Sequence, residues 1–317
     1  MALINWSTLV DGDVVAFNPL VDKLQFDDLA ISAAGVVLDL SGGITSVFSV
    51  GGKTVTVNTA AATLTSTNVT FDDGSLLLVG DNTTGTVNDG GNNTRTGSGF
   101  NDQLLGFGGD DTLIGGVGND ILNGDTGNDK LNGGAGDDTQ NGGDGNDVFL
   151  IGAGGHHGGG EVIDGGLGTN VIRFTSTVAD TLTLSALITN VAEVEASDAA
   201  GGNAGTAAMN INAAAVGSGL IITGNAGANT LTGTDFADTI IGNAGNDTLT
   251  GGAGNDILNG GAGADTLQGE AGDDLILLAS TAQFAAGELI DGGADTDTLR
   301  YTGTVAATLT LTAGVTN

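Results

Sequence analysis

From residue 97 to residue 150 the chain repeats one pattern of polar and apolar positions every nine residues. Each unit has a half rich in Gly and Asp, followed by a short half with one large apolar residue at its centre. The six units read GSGFNDQLL, GFGGDDTLI, GGVGNDILN, GDTGNDKLN, GGAGDDTQN and GGDGNDVFL. Residues 224–277 hold six more, GNAGANTLT, GTDFADTII, GNAGNDTLT, GGAGNDILN, GGAGADTLQ and GEAGDDLIL. With scattered exceptions these first and second blocks fit G-G-x-G-x-D-x-U-x, in which U is apolar, and predict a repeat architecture.

Each unit predicts a tight turn followed by a three-residue strand, because Gly permits positive φ and strand side chains alternate between faces. Two units would form one coil, and stacked coils would form two parallel sheets around a thin aliphatic core. We therefore expect an all-β fold made of parallel β-roll or β-solenoid blocks. The predicted inward residues are Leu104, Leu113, Leu122, Leu131, Gln140, Phe149, Leu231, Ile240, Leu249, Leu258, Leu267 and Ile276. Gln140 departs from the apolar rule, so we expect it near a coil edge or hydrogen-bonded inside the coil.

The nonapeptide blocks are part of a longer sequence repeat, here called the long module. Its first copy begins with the first block at Gly97, and its second copy begins with the second block at Gly224. Residues 161–190 and 288–317 keep the same offset, with 18 identities over 30 positions. The second copy stops at the equivalent of Asn190, so we expect either a fragment of a longer array or an edge that a neighbouring molecule covers.

The remaining segments complete the predicted domain organisation. Residues 1–80 alternate as strands do around residues 35–40, 53–57 and 75–79, and predict a small N-terminal β domain. The prediction continues with a polar linker at 81–96 and β-roll block 1 at 97–150. Residues 151–223 continue the solenoid, 224–277 form β-roll block 2, and 278–317 are a partial continuation of the second module.

Composition and charge exclude several classes of protein. The 317 residues include 59 Gly, 1 Pro, no Cys and only 6 Lys or Arg against 38 Asp or Glu, for a formal charge of −32. Nucleic acid binding needs clustered basic residues, collagen needs abundant Pro, and disulfides need Cys. No uninterrupted apolar run approaches the length needed to span a membrane, so we expect no transmembrane segment.

Position six of the nonapeptide predicts a column of carboxylates on each side of the coils. The residues are Asp102, Asp111, Asp120, Asp129, Asp138, Asp147, Asp238, Asp247, Asp256, Asp265 and Asp274. Lys130 is the sole basic residue in either block, so salt bridges cannot neutralise these columns. Ca²⁺ accepts six to eight oxygen ligands with flexible geometry, whereas Mg²⁺ is stricter, and the absence of Cys with only two His disfavours Zn²⁺. The alternative, that Asp only shapes turns, is disfavoured by its fixed position in eleven of twelve units.

These twelve units resemble the repeats-in-toxin (RTX) family of haemolysin-type calcium-binding proteins. The resemblance implies Ca²⁺ between successive loops on the same side, bound by position-six Asp and loop carbonyls, with four enclosed sites in each block. The carbonyls so implied include those of Gly106, Gly115, Gly116, Gly118, Gly133, Gly136, Gly142, Gly145, Gly242, Gly245, Gly251, Gly254, Gly260 and Gly263. Asn229 replaces Asp at position six, and isolated seventh units add Asn170 and Asp297 as candidate ligands. Phe100 and Phe236 replace the Gly of position four, which weakens their sites.

The function expected from these features is structural rather than enzymatic. The chain has no H-E-x-x-H or G-x-S-x-G motif, and its two His, His156 and His157, lie together in a Gly-rich stretch. We expect an extracellular or cell-surface protein, exported without a cleaved N-terminal signal, that folds on binding calcium and assembles with copies of itself into a surface layer or fibre. Cell-surface polysaccharide is a further candidate partner. The alternatives are an adhesin or ligand-binding module on a calcium stalk, or the RTX portion of a secreted enzyme or toxin.

Overall fold

The computed structural model describes residues 2–17, 23–28, 30–39, 46–50, 53–57, 69–73, 76–79, 91–153, 160–278, 287–302 and 315–316. Within these ranges the chain is all-β, with two short 3-10 helices at Trp6–Thr8 and Ala33–Gly35. The predicted fold class is confirmed. The chain divides into two compact units, Met1–Val148 and Phe149–Asn317, which are described in turn. None of the described helices has the length and hydropathy needed to cross a membrane.

The first unit begins with two small sheets that share an aromatic core. Their strands are β1 (Leu3–Asn5), β2 (Asp13–Val15), β3 (Lys23–Phe26), β4 (Val37–Asp39), β5 (Ser46–Val50), β6 (Lys53–Val57) and β7 (Val69–Phe71). One sheet is parallel, in the order β1-β3-β7, and the other is mixed, in the order β2-β6-β5-β4. Phe26 stacks between Trp6 at 4.7 Å and Phe71 at 4.6 Å between ring centroids, so three distant segments converge on one ring.

The first unit continues as a parallel β-solenoid. Its strands are β8 (Leu77–Val79), β9 (Thr94–Thr96), β10 (Gln103–Gly108), β11 (Thr112–Val117), β12 (Ile121–Thr126), β13 (Lys130–Ala135) and β14 (Thr139–Asp144), followed at the boundary by β15 (Val148–Ile151). Odd-numbered nonapeptides pair as β10-β12-β14 and even-numbered ones as β11-β13. Each residue pairs with the equivalent residue two nonapeptides later, as in Leu104↔Leu122, so two nonapeptides make one coil as predicted.

The solenoid begins before residue 97, which alters the predicted boundaries. β8 belongs to the segment assigned to the N-terminal domain and pairs with β10, while β9 lies in the predicted linker and pairs with β11. These segments lack the nonapeptide but supply backbone partners for the first repeat coil. Leu77 and Leu105 also join the hydrophobic core around Phe26. The N-terminal sheets and the first coil therefore share a core. Residues 81–90 of the predicted linker lie outside the described residues.

The second unit is also a parallel solenoid. Its strands are β16 (Val162–Leu167), β17 (Val171–Phe174), β18 (Asp180–Thr183), β19 (Ile188–Thr189), β20 (Glu193–Ala196), β21 (Met209–Asn212), β22 (Ile221–Thr223), β23 (Thr230–Thr232), β24 (Thr239–Ile241), β25 (Thr248–Ala253), β26 (Ile257–Asn259), β27 (Thr266–Ala271), β28 (Leu275–Leu278), β29 (Leu289–Asp291), β30 (Thr298–Tyr301) and β31 (Val315–Thr316). One sheet runs β17-β20-β22-β24-β26-β28-β30 and another β18-β21-β23-β25-β27-β29-β31. Residues 160–223 thus continue as parallel strands, with one isolated nonapeptide at 165–173.

The predicted inward positions form the core of each solenoid. All twelve are at most 2% exposed, because each lies at the centre of a three-residue strand that faces the opposite sheet. Gln140 is buried as well and pairs with Leu122 of the preceding coil, so it occupies the column of leucines rather than a coil edge. His156 and His157 lie outside the described residues.

Candidate calcium-binding loops

The loop half of each nonapeptide uses backbone conformations that favour glycine. In most units positions two and four have positive φ, as in Gly116 at +117° and Gly118 at +130°. Four position-two residues other than Gly also adopt this conformation, with φ between 74° and 78°: Phe107, Asp125, Asn243 and Glu270. L-residues enter this region at some cost, so the Gly-rich pattern reflects the shape of the turn.

Position one is glycine for a different reason. A Cβ added at Gly115 would lie 2.3 Å from Oδ2 of Asp120 and 2.5 Å from the carbonyl oxygen of Gly133 in the next coil. The equivalent pair of oxygens faces Gly124, where a Cβ would lie 2.2 Å from Oδ2 of Asp129 and 2.6 Å from the carbonyl oxygen of Gly142. A carboxylate oxygen and a carbonyl oxygen therefore converge on one point, and only a residue without a side chain leaves room for both. Of the predicted ligand carbonyls, those of Gly115, Gly133, Gly142, Gly242, Gly251 and Gly260 take this position.

The position-six aspartates form the predicted columns and are almost completely buried. In each column, Oδ1 accepts a hydrogen bond from a backbone N–H of the coil before it. The N–H of Asp111 donates to Asp129 at 2.7 Å, and that of Asp247 donates to Asp265 at 2.9 Å. The acceptors in this ladder are Asp102, Asp111, Asp120, Asp129, Asp138, Asp147, Asp238, Asp247, Asp256, Asp265, Asp274 and Asp297. Eleven of them are at most 3% exposed, and Asp297 is half-buried.

The second carboxylate oxygen of many of these residues has no hydrogen-bond donor. Among the described residues, Oδ2 is buried and unbonded in Asp120, Asp129, Asp247, Asp256, Asp265, Asp274 and Asp297. Leaving a buried acceptor unsatisfied costs about 1 to 3 kcal/mol, and more when the group is charged. Each column therefore presents a row of buried oxygens that need a positive charge or a proton.

Burial raises the pKa of these carboxyl groups. The pKa of Asp120, Asp129, Asp247 and Asp256 rises to about 7. Loss of hydration is the largest cause, and in each group the charge of a neighbouring column aspartate raises the pKa further, while the backbone N–H donor to Oδ1 opposes the rise. Near neutral pH, and without a cation, the folded columns therefore hold protons that an unfolded chain would release.

The donor set fits a hard divalent cation. No group of three or more His, Cys, Asp or Glu side chains converges within the described part of the chain, so side chains alone would not complete a site. The loops add a backbone carbonyl beside the unbonded oxygen of Asp120, Asp129, Asp247, Asp256 and Asp274. Carboxylate with carbonyl oxygen is the ligand combination that Ca²⁺ prefers. The position-six aspartates and adjacent loop carbonyls are therefore the residues that would hold the ion.

Two aspartates in the columns differ from the others. Oδ2 of Asp238 accepts hydrogen bonds from the backbone N–H of Thr234 at 2.6 Å and from its hydroxyl at 3.0 Å. Oδ2 of Asp102 is bonded in the same way by the backbone N–H and hydroxyl of Ser98. Asp102 and Asp238 belong to the two units that have Phe at position four. In both units a hydroxyl residue at position two donates the hydrogen bonds that Oδ2 lacks elsewhere in the columns. Their carboxylates are satisfied within the protein. That these sites bind calcium more weakly stays a prediction.

The two asparagines among the candidate ligands are also hydrogen-bonded within the protein. Nδ2 of Asn229 donates to the carbonyl of Met209 at 2.9 Å, and its Oδ1 accepts from the N–H of Asn225 at 3.0 Å. Nδ2 of Asn170 donates to the carbonyl of Asn190 at 3.0 Å. Both are buried in position six but add no negative charge to the column. Their role as ligands, like that of the individual glycine carbonyls, stays a prediction.

Sequence reasoning missed two features of the loops. Position five forms a second ladder, in which an exposed Asn or Asp side chain accepts the N–H of position five in the next coil, as Asp110 does from Asn128 at 2.8 Å. The frequent Asn or Asp before position six was the signal for it. The second feature is Glu288, which is 3% exposed and lies outside the nonapeptides. Its signal was a buried-strand pattern, E-L-I-D, repeated as E-V-I-D at Glu161.

Comparison with known families agrees with this geometry. The family model of the RTX calcium-binding nonapeptide repeat matches the chain in four copies, at residues 87–122, 114–149, 223–258 and 250–280. These segments cover both blocks of loops. These segments contain RTX-type calcium-binding repeats, as the resemblance implied. A search of curated proteins found no match to the chain.

Replacing Asp129 by Asn tests the assignment of the unbonded oxygen. Asn retains the acceptor for the N–H of Asp111 but replaces Oδ2 with an amide nitrogen, which cannot bind a cation. We expect Asp129→Asn to bind fewer calcium ions per chain in calorimetric titration and to need a severalfold higher calcium concentration for folding. Asp110→Asn is the matched control, because it removes one charge from the exposed position-five ladder, where Asn already occurs. Equal calcium binding by both variants would contradict the assignment.

The raised pKa values predict that acid substitutes for the cation. The pKa of the four aspartates is about 7 when folded against about 3.9 unfolded, so the folded state binds more protons between these values. Without calcium, their contribution to stability is therefore greatest below about pH 4 and is lost as pH rises towards 7. In EGTA, lowering the pH from 8 to 5.5 should increase the β signal in far-UV circular dichroism. A signal that does not change, or that decreases, would count against the buried columns. The pH stays above the sequence pI of about 4.1 to limit aggregation.

Proposed function

We propose that this chain is an extracellular structural protein that folds when it binds calcium and then assembles with copies of itself into a surface layer or fibre. The observation that carries the calcium-dependent part is the row of buried column aspartates, Asp120, Asp129, Asp247, Asp256, Asp265 and Asp274, whose second oxygens lack donors among the described residues. The repeats make the chain a calcium-binding repeat protein. The extracellular location, the export without a cleaved signal and the assembly are the further steps of the proposal.

Folding would depend on whether the negative charge of the aspartate columns is neutralised. Without a cation, buried aspartates repel one another and resist desolvation, so the chain stays expanded near neutral pH. When bound, Ca²⁺ supplies the positive charge and the coordination that these oxygens lack. Binding to the folded state alone adds its free energy to folding. Calcium is scarce inside cells and abundant outside, so a chain with these columns would fold after export.

Assembly is supported by the regular surface of the solenoids and by their charge. Exposed position-five acids such as Asp110, Asp137 and Asp273 lie beside the columns and leave charge on the surface. Molecules with a formal charge of −32 repel one another, and calcium bound in the columns would lower that barrier by cancelling part of the charge. The duplication of the long module adds a repeated surface along the chain. We also propose that the chain is not an enzyme, since the columns account for its regularly placed aspartates.

A ligand-binding module is the second candidate, and a cleft in the second unit favours it. The cleft has a volume of about 540 Å³ and is lined by apolar side chains such as Met209 together with polar ones, among them Thr175, Ser176 and Asn225. Part of it comes from residues 196–209, beyond the portion of the module that the second copy repeats. Hydroxyl and amide groups in a cleft suit a neutral polar ligand such as a polysaccharide.

Electron microscopy in calcium tests the assembly. We expect the purified chain to form sheets or filaments in millimolar CaCl₂ and to disperse when EGTA is added, because chelation restores the charge. The same concentration of MgCl₂ is the control, because it gives the same ionic strength while Mg²⁺ fits the loops less well than Ca²⁺ does. Monodisperse folded monomers in calcium, verified by sedimentation, would contradict assembly and favour the ligand-binding module.

A further inference from the structure

Glu288 occupies the position of a column aspartate after an insertion in the repeat. It precedes β29, which pairs with β27 through Thr266↔Leu289. The N–H of Leu289 donates to the carbonyl of Asp265 at 2.8 Å, just as the N–H of Thr266 donates to the carbonyl of Asp247 at 2.8 Å. Glu288 therefore stands one coil beyond Asp265, although the chain between them is longer than the chain between Asp247 and Asp265.

The side chain of Glu288 repeats the contacts of the column as well. Its Oε2 accepts the N–H of Asp265 at 3.1 Å, as Oδ1 of Asp265 accepts the N–H of Asp247 at 2.9 Å. Its Oε1 is buried and has no hydrogen-bond partner among the described residues, and the same holds for Oδ2 of Asp265. Glu288 is 3% exposed and Asp265 is fully buried. Neither carboxylate forms an ion pair within the described part of the chain.

We propose that Glu288 is a calcium ligand that extends the column of Asp247 and Asp265 by one site beyond the nonapeptide block. Two successive coils place a buried carboxylate in the same position, each with one oxygen bonded to the backbone and one oxygen unbonded. This is the arrangement that the aspartates have within the blocks. The inference rests on the proposed calcium-dependent folding and adds a ligand that the nonapeptide pattern does not contain.

The first copy of the long module has the same residue in the same place. Glu161 is the equivalent of Glu288 in that copy and is 2% exposed. The chain has only five Glu against 33 Asp, and two of the five are these buried residues. The longer glutamate side chain lets a carboxylate reach the column where the insertion has altered the length of the coil.

A purely structural role is the alternative, in which Glu288 is protonated and only accepts the N–H of Asp265. Glutamine distinguishes the two roles, because its amide oxygen can accept the same hydrogen bond while its nitrogen cannot bind a cation. A structural role predicts that Glu288→Gln leaves calcium binding unchanged. The ligand role predicts that it removes a site.

The experiment counts the calcium ions bound per chain by equilibrium dialysis with ⁴⁵Ca²⁺ and follows folding by circular dichroism. We expect Glu288→Gln to bind one ion fewer than the wild type at a calcium concentration that saturates the wild type. Glu270→Gln is the matched control, since Glu270 is an exposed glutamate one coil earlier in the chain, and we expect it to bind the wild-type number. An unchanged count and affinity in Glu288→Gln would overturn the inference.

A second variant keeps the test decisive if Glu288→Gln does not fold. Glu288→Asp keeps the charge but shortens the side chain, so a ligand role predicts binding at this site with severalfold weaker affinity, whereas wild-type affinity would overturn the inference. Failure of the proposed function gives a different result, because the wild-type chain itself would then bind no calcium.

Discussion

A carboxylate that loses its hydration needs a compensating charge or a proton, and this requirement governs the whole solenoid. Each nonapeptide buries one carboxylate at the same depth, and stacking places the charges one coil apart. The backbone N–H donors satisfy one oxygen of these groups, and in aspartates such as Asp129 and Asp265 the second oxygen has no hydrogen-bond donor among the described residues. A thin core of one apolar residue per nonapeptide has little hydrophobic area with which to offset that cost. The stability of the repeats therefore depends on what binds the columns.

The glycines and the aspartates of the loops together create the points at which carboxylate and carbonyl oxygens converge. Gly at position one lets a carboxylate oxygen and the next carbonyl approach one point, and positive φ at positions two and four turns the chain within a few residues. Where Phe replaces the position-four Gly, as at Phe100 and Phe236, a hydroxyl at position two satisfies the carboxylate instead. The loops thus contain two solutions to the same electrostatic problem, one internal and one that needs a cation.

Much of this could be predicted from the sequence, because period and position in the repeat determine which side chains face inward. Leu104, Leu249 and the aspartate columns follow from the nonapeptide alone. Other features depend on contacts between coils, which local pattern does not encode. The donors from Ser98 and Thr234 and the start of the solenoid at β8 belong to this class. Glu288 was missed because an insertion shifts it out of the nine-residue frame, and the pairing around Phe26 was missed because it joins segments far apart in sequence.

We expect the columns of buried aspartates to make folding conditional on calcium. Far-UV circular dichroism of the chain at pH 7.5 tests it most directly, first in EGTA and then during titration with CaCl₂. The account predicts a largely unfolded spectrum in EGTA and a cooperative gain of β structure as calcium is added, reversed by chelation. A β spectrum in EGTA identical to that in calcium would contradict it.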